Sequence, residues 1–197
     1  MRIIFAIPFI LLISLLSSPS WSETVNVDDL VKRDDLYFKK FTDVPFTGET
    51  KITEETNVFL AIVYGDGFFK DGKKEGFWRK YFKDGSLSSR KTYANGIETG
   101  PSERYYENGQ LWRKGNLKSG KRDGIWKFYN KNGRLSIEGI YQAGIKNGIW
   151  KFFSHNNGQL SARVSRKDGK YDGLVEYFNK DGSLSRTLTY KDGELVE

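Results

Sequence analysis

The 197-residue chain has no cysteine, one histidine, four prolines and one long apolar run, which lies at its N-terminus. Without thiols, disulfide frameworks and cysteine-ligated metal sites are excluded. The single histidine, His155 in "SHNNG", belongs to no Ser-His-Asp order and no HExxH pattern, and reads as a solvated loop residue. Acidic residues are scattered among turns, with no pair spaced for acid–base work. The "KDG" triplets beginning at Lys83, Lys167, Lys180 and Lys191 lack the alternating carboxylates of a calcium loop, and "GDG" at 65–67 leads into no GK[ST]. Neither an enzyme nor a bound cofactor or metal is expected.

The apolar run lies in "MRIIFAIPFILLISLLSSPSWS", after one basic residue, Arg2, and before small and turn-forming residues ending at Ser22. It is shorter than the roughly 20 apolar residues of a membrane span and contains Pro8. Residues 1–22 therefore read as a signal peptide cleaved near Ser22, giving a periplasmic or secreted protein; an uncleaved N-terminal membrane anchor is the alternative. Charge is divided along the rest. Residues 23–67 hold 5 Lys and Arg against 10 Asp and Glu, whereas residues 68–197 hold 26 against 15. Residues 23–45 form an acidic lead-in, with a short strand expected at Leu36–Phe41, and 46–197 a repeat domain.

What the sequence has in abundance is a repeated phrase. Its opening glycines, Gly76, Gly100, Gly124, Gly148 and Gly173, are spaced by 24, 24, 24 and 25 residues, the extra one falling in "HNNG". Two residues on come Trp78, Ser102, Trp126, Trp150 and Val175; five on come Tyr81, Tyr105, Tyr129, Phe153 and Phe178. A first turn follows, from Asp84-Gly85 to Asp181-Gly182, then a leucine, then a closing glycine, from Gly96 to Gly193. Aromatic runs joined by Asn-Gly or Asp-Gly predict hairpins with type I′ turns. The fold class is therefore all-β: an elongated antiparallel sheet of consecutive β-hairpins, about five clear 24-residue repeats plus a degenerate N-terminal one that includes an apolar strand at Val58–Tyr64. At ordinary strand spacing six hairpins extend on the order of 55 Å.

"GIWKFYNKNGRLSIEGIYQAGIKNG" and "GFWRKYFKDGSLSSRKTYANG", with "PFTGE" before them, resemble MORN-repeat variants of the YwqK type, described as antitoxin components of toxin–antitoxin pairs. The resemblance covers residues 36–197. It implies a sheet used as a binding platform for a partner protein, a toxin where the antitoxin role holds, with anionic lipid or cell-wall polymer as the alternative ligand. Ser102 and Val175 depart from the tryptophan pattern, and the N-terminal segment turns the antitoxin role toward an exported immunity protein.

Trp78, Trp126 and Trp150 are expected to pack across strands, with a partner-binding aromatic groove as the competing assignment. Tyr81, Tyr105, Tyr129, Phe153 and Phe178 are the better surface candidates, and Arg90, Arg113, Arg134 and Arg163 are variable charges able to set specificity. The third positions, Arg79, Glu103, Lys127, Lys151 and Glu176, read as a solvated charged row. No nucleic-acid signature is present. The oligomeric state is not fixed by the sequence.

Overall fold

Two kinds of glycine turn alternate along the chain and set its path. At Asp71-Gly72, Asn95-Gly96, Ser119-Gly120, Ala143-Gly144, Asp168-Gly169 and Asp192-Gly193 both residues have positive φ, the first between 49° and 52°. These closing turns are the two-residue type I′ links whose twist matches paired strands. At the first turns, such as Asp84-Gly85 and Asn132-Gly133, the glycine alone is positive. The Gly85 amide donates to the Phe82 carbonyl and the Phe82 amide to that of Ser86, which makes a three-residue loop ending in a left-handed glycine. The Asp84 carboxylate accepts from the Ser86 amide at 2.9 Å, and Asp181 does the same for Ser183. The type I′ assignment made from Asn-Gly and Asp-Gly is thus corrected: in the first turns the Asn or Asp caps the loop with its own side chain.

The computed structural model describes residues 23–51 and 65–196. The signal segment expected over 1–22 and the apolar strand expected at Val58–Tyr64 lie outside the described residues. The N-terminal strands are β1 (Glu23–Asn26), β2 (Leu30–Arg33), β3 (Leu36–Lys39), β4 (Gly48–Lys51) and β5 (Asp66–Lys70). The repeats supply β6 (Lys73–Tyr81), β7 (Leu87–Ala94), β8 (Ile97–Tyr105), β9 (Leu111–Lys118), β10 (Lys121–Tyr129) and β11 (Leu135–Gln142). They continue through β12 (Ile145–Phe153), β13 (Leu160–Lys167), β14 (Lys170–Phe178), β15 (Leu184–Lys191) and the short β16 (Glu194–Leu195).

From β4 to β16 every strand pairs antiparallel with its sequence neighbour, and β1 adds in parallel beside β4, completing a 14-stranded sheet. At about 4.8 Å per strand it spans roughly 60 Å. The acidic lead-in joins this sheet through β1, while β2 and β3 form a separate hairpin, with β3 at the strand expected from Leu36.

Each opening glycine lies inside a strand, at a bulge. In β10 the four-residue step from Asp123 to Lys127 faces the two-residue step from Asn116 to Lys114 in β9, and Gly124 holds φ 75° within it. Toward β11 the register is unbroken from Gly124↔Tyr141 to Phe128↔Ile137. The bulge lets one edge of the strand bend while the other stays paired.

Alternation then gives the sheet two faces. Trp78, Trp126 and Trp150 are each only 2% exposed, although among the described residues the β2–β3 hairpin is the only strand pair outside the sheet. Three features of the neighbouring strands achieve this. Eleven residues before each tryptophan is a strand glycine, Gly67, Gly115 or Gly139, where a β-carbon would overlap the indole. The indole lies over that glycine and its Nε1–H donates to the next carbonyl, of Phe68 (3.1 Å), Asn116 (3.0 Å) or Ile140 (3.2 Å). Four residues before each tryptophan a cation covers the ring: Lys74 at 3.9 Å, Arg122 at 4.7 Å and Lys146 at 4.6 Å from a ring centroid. Where the tryptophan is absent the glycine and the cation change with it. Ser102 is matched with Lys91 and Glu98, and Val175 with Val164 and Tyr171.

The buried side chains therefore fall into two groups. Leu117, Trp126, Tyr141, Trp150, Val164 and Val175 form one. Val25, Phe46, Phe69 and Trp78 form the other, on which Leu30 and Tyr37 of the N-terminal hairpin pack as an end cap. Ser102 lies between the two.

Candidate binding surface

The face opposite the tryptophans, here the tyrosine face, has three rows. Nearest the first turns are Tyr81, Tyr105, Tyr129, Phe153 and Phe178, all partly buried. The Tyr81 hydroxyl donates to Asp66 (2.9 Å) and that of Tyr105 to Glu103 (2.7 Å). Burial and these carboxylates push both phenols up to about 12.

The middle row runs through the charged third positions and their cross-strand partners, and most of its cations are neutralised there; Lys114, between Glu103 and Lys127, is exposed and has no ion pair among the described residues. Arg90 pairs with Glu103 at 2.8 Å, Lys127 and Lys151 share Glu138 at 3.1 and 3.4 Å, Arg163 meets Glu176 at 3.1 Å, and Arg79 meets Asp66. A hydrogen bond from Lys127 holds the Glu138 carboxyl below the usual carboxylate range. Directly opposed pairs of this kind fix strand register as much as they stabilise it.

The third row comes one residue after each opening glycine. Phe77 (65% exposed), Ile125 (57%), Ile149 (48%) and Leu174 (47%) line it, with Pro101 in the second copy and Ile140 between Ile125 and Ile149. Sequence reasoning missed this row. The signal was available, because the position is apolar in all five copies and alternation from a buried tryptophan directs it outward. A depression of 680 Å³ beside Phe77, Pro101 and the Arg90–Glu103 pair has Lys51 and Asp66 on its rim, adjoining residues 52–64 outside the described residues; no site is assigned there.

The structure divides the expected residues. The five tyrosines and phenylalanines share the tyrosine face with Arg90 and Arg163. Trp78, Trp126 and Trp150 are buried under their cations on the other face and present almost no surface. Arg113 is on that other face, directly across from Arg104. Arg134 is in a first turn, donating to the Asn156 carbonyl at 2.6 Å. His155 is exposed in the inserted loop, 3.4 Å from Asn130. Among the described residues no cluster of His, Cys, Asp or Glu is arranged to hold a metal ion, and no helix is long and apolar enough to cross a membrane.

Residues 98–119, 122–143 and 171–192 each span one hairpin: β8 with β9, β10 with β11, and β14 with β15. These three segments match the MORN repeat variant. Each MORN match begins just after one closing turn and ends at the next, so the family's unit coincides with the structural one. In each of the three matched segments the repeat unit is one antiparallel hairpin of the continuous sheet. No curated protein matches the chain.

Proposed function

We propose that the chain is an exported, non-enzymatic scaffold that binds a partner protein through its tyrosine face, as the immunity component of a toxin–antitoxin pair. One observation carries the reading: Ile125 and Ile140, paired directly, with Ile149 on the next strand, form an exposed apolar patch beside the ion-paired middle row, and Phe77 and Leu174 prolong it beyond the polar Asn116 and Ser165. Contiguous apolar surface rimmed by polar groups is the signature of a protein interface. Anionic lipid or polymer would require a run of free cations on this face, whereas Arg79, Arg90, Lys127, Lys151 and Arg163 are held by Asp66, Glu103, Glu138 and Glu176, and the unpaired Lys114 stands directly opposite Glu103. The toxin partner rests on the YwqK-type resemblance, and export on the N-terminal apolar stretch.

The test uses the full-length chain tagged at its C-terminus, isolated from its own cells beside an Ile125→Glu/Ile149→Glu variant. A protein retained by the parent at low and high salt, lost with the variant and identified by mass spectrometry as a toxin, is the expected result. Equal retention by the variant, or recovery of lipid or polymer alone and its loss at high salt, overturns the reading.

A further inference from the structure

We propose that the tryptophan face carries a binding site for a phosphate group at Lys80, Arg104 and Arg113, in the repeat whose tryptophan is replaced by Ser102. The site is on the opposite side of the sheet from the partner surface and does not depend on it.

The register makes the site. Lys80 pairs with Ser89, Ser89 with Arg104, and Arg104 with Arg113, so four adjacent strands set three cations and a hydroxyl-bearing residue in one row. At ordinary strand spacing the row is roughly 15 Å long. Its equivalents one repeat later, Phe128 and Ile137, and two repeats later, Phe152, are apolar. This repeat departs from the pattern in the row and beneath its missing indole at once.

The charges in the row are left without carboxylates. Among the described residues, Lys80, Arg104 and Arg113 have no ion pair, whereas Arg79, Arg90, Lys127, Lys151 and Arg163 of the tyrosine face each have one. The nearest acid, Glu98, is engaged by Lys91 and accepts from Tyr93 at 3.1 Å. Burial alone would raise the Glu98 carboxyl, but Lys91, Tyr93 and Arg104 outweigh it and hold it ionised below the ordinary range. Burial, then Arg104 and Arg122, push the Arg113 guanidinium down to about 10, and burial with Lys91 lowers Lys80.

Like charges placed directly opposite on paired strands work against the sheet. A bound dianion would neutralise them, and phosphate suits two facing guanidiniums because each offers parallel N–H donors to its oxygens. The group can come from a free phosphate or from a phospholipid headgroup; both present the same oxygens.

The experiment follows thermal unfolding of the full-length chain in inorganic phosphate, with ionic strength held constant by chloride. A saturable rise in Tm with phosphate and none with chloride is expected. Arg104→Gln should weaken the phosphate response about tenfold, yet melt no lower than the parent without phosphate, since it removes a like-charge pair. Arg90→Gln, on the other face, should respond as the parent does. Flotation with phosphatidylglycerol vesicles, set against phosphatidylcholine, separates the sources: retention competed by phosphate and lost in Arg104→Gln assigns a headgroup, and a response to soluble phosphate alone assigns the free anion. The absence of a saturable response, or an unchanged response in both Arg104→Gln and Arg113→Gln, overturns the site.

Discussion

Replacing Gly139 by alanine is the sharpest test of how this sheet buries its tryptophans. Gly139 is extended, so alanine would ordinarily help the strand by about 0.5–1 kcal/mol through reduced chain entropy. A β-carbon there would instead overlap the Trp150 indole, whose Nε1–H is 3.2 Å from the Ile140 carbonyl. Overpacking costs about 1–3 kcal/mol, and displacing the indole from its carbonyl about 1 kcal/mol more. The net expectation is a loss of about 2 kcal/mol, opposite in sign to the backbone effect. Trp150→Val should cost about 2–4 kcal/mol through the lost ring. Adding Gly139→Ala to that variant should cost nothing further, because Val164 and Val175 already form such a pair in the last repeat. Urea unfolding of parent, single and double variants gives the coupling energy. A coupling below about 0.5 kcal/mol, or a neutral Gly139→Ala, would refute the seat-and-ring reasoning.

Ala143 holds φ 50° in a type I′ turn that favours Asn; Ala143→Asn should raise stability by about 1 kcal/mol, read as a higher urea midpoint. Burial, with Lys80 and Lys91, lowers the Lys74 amine to about 7. Its unfolded counterpart keeps its proton to higher pH, so stability should rise by about 2 kcal/mol between pH 7 and pH 9; Lys74→Met should flatten that rise in pH-dependent unfolding. Ser102→Trp alone should destabilise, since Lys91 occupies the glycine seat, whereas adding Lys91→Gly and Glu98→Lys should recover the loss, measured by Tm.

The hairpins were legible because their determinants are local: an aromatic run, a turn glycine and a leucine recur at fixed offsets. Turn type was less so, since Asn-Gly serves both type I′ turns and capped three-residue loops; the shift in register at Tyr81↔Leu87 decides it. Gly124 reads in sequence as the start of a phrase, and only the pairing on both sides shows it inside a bulge. The tryptophan cover was written in the chain at two offsets, a glycine eleven residues before and a cation four before, lost together at Ser102 and Val175. Neither offset has meaning until strands are paired. The same holds for Arg104 and Arg113, which are nine residues apart and adjacent only through the β8–β9 ladder.

The polar interval at Ser102 has a further consequence. Backbone pairing runs through β7, β8 and β9 without a gap, but the two groups of buried side chains do not meet there. A stack whose stability passes only between neighbours loses cooperativity where one interface is weak. The ladder should therefore open as two foldons: amide exchange is expected to protect β10–β14 and β5–β6 to separate levels, with the shallowest opening between them, and one uniform level across β5–β14 would refute the division.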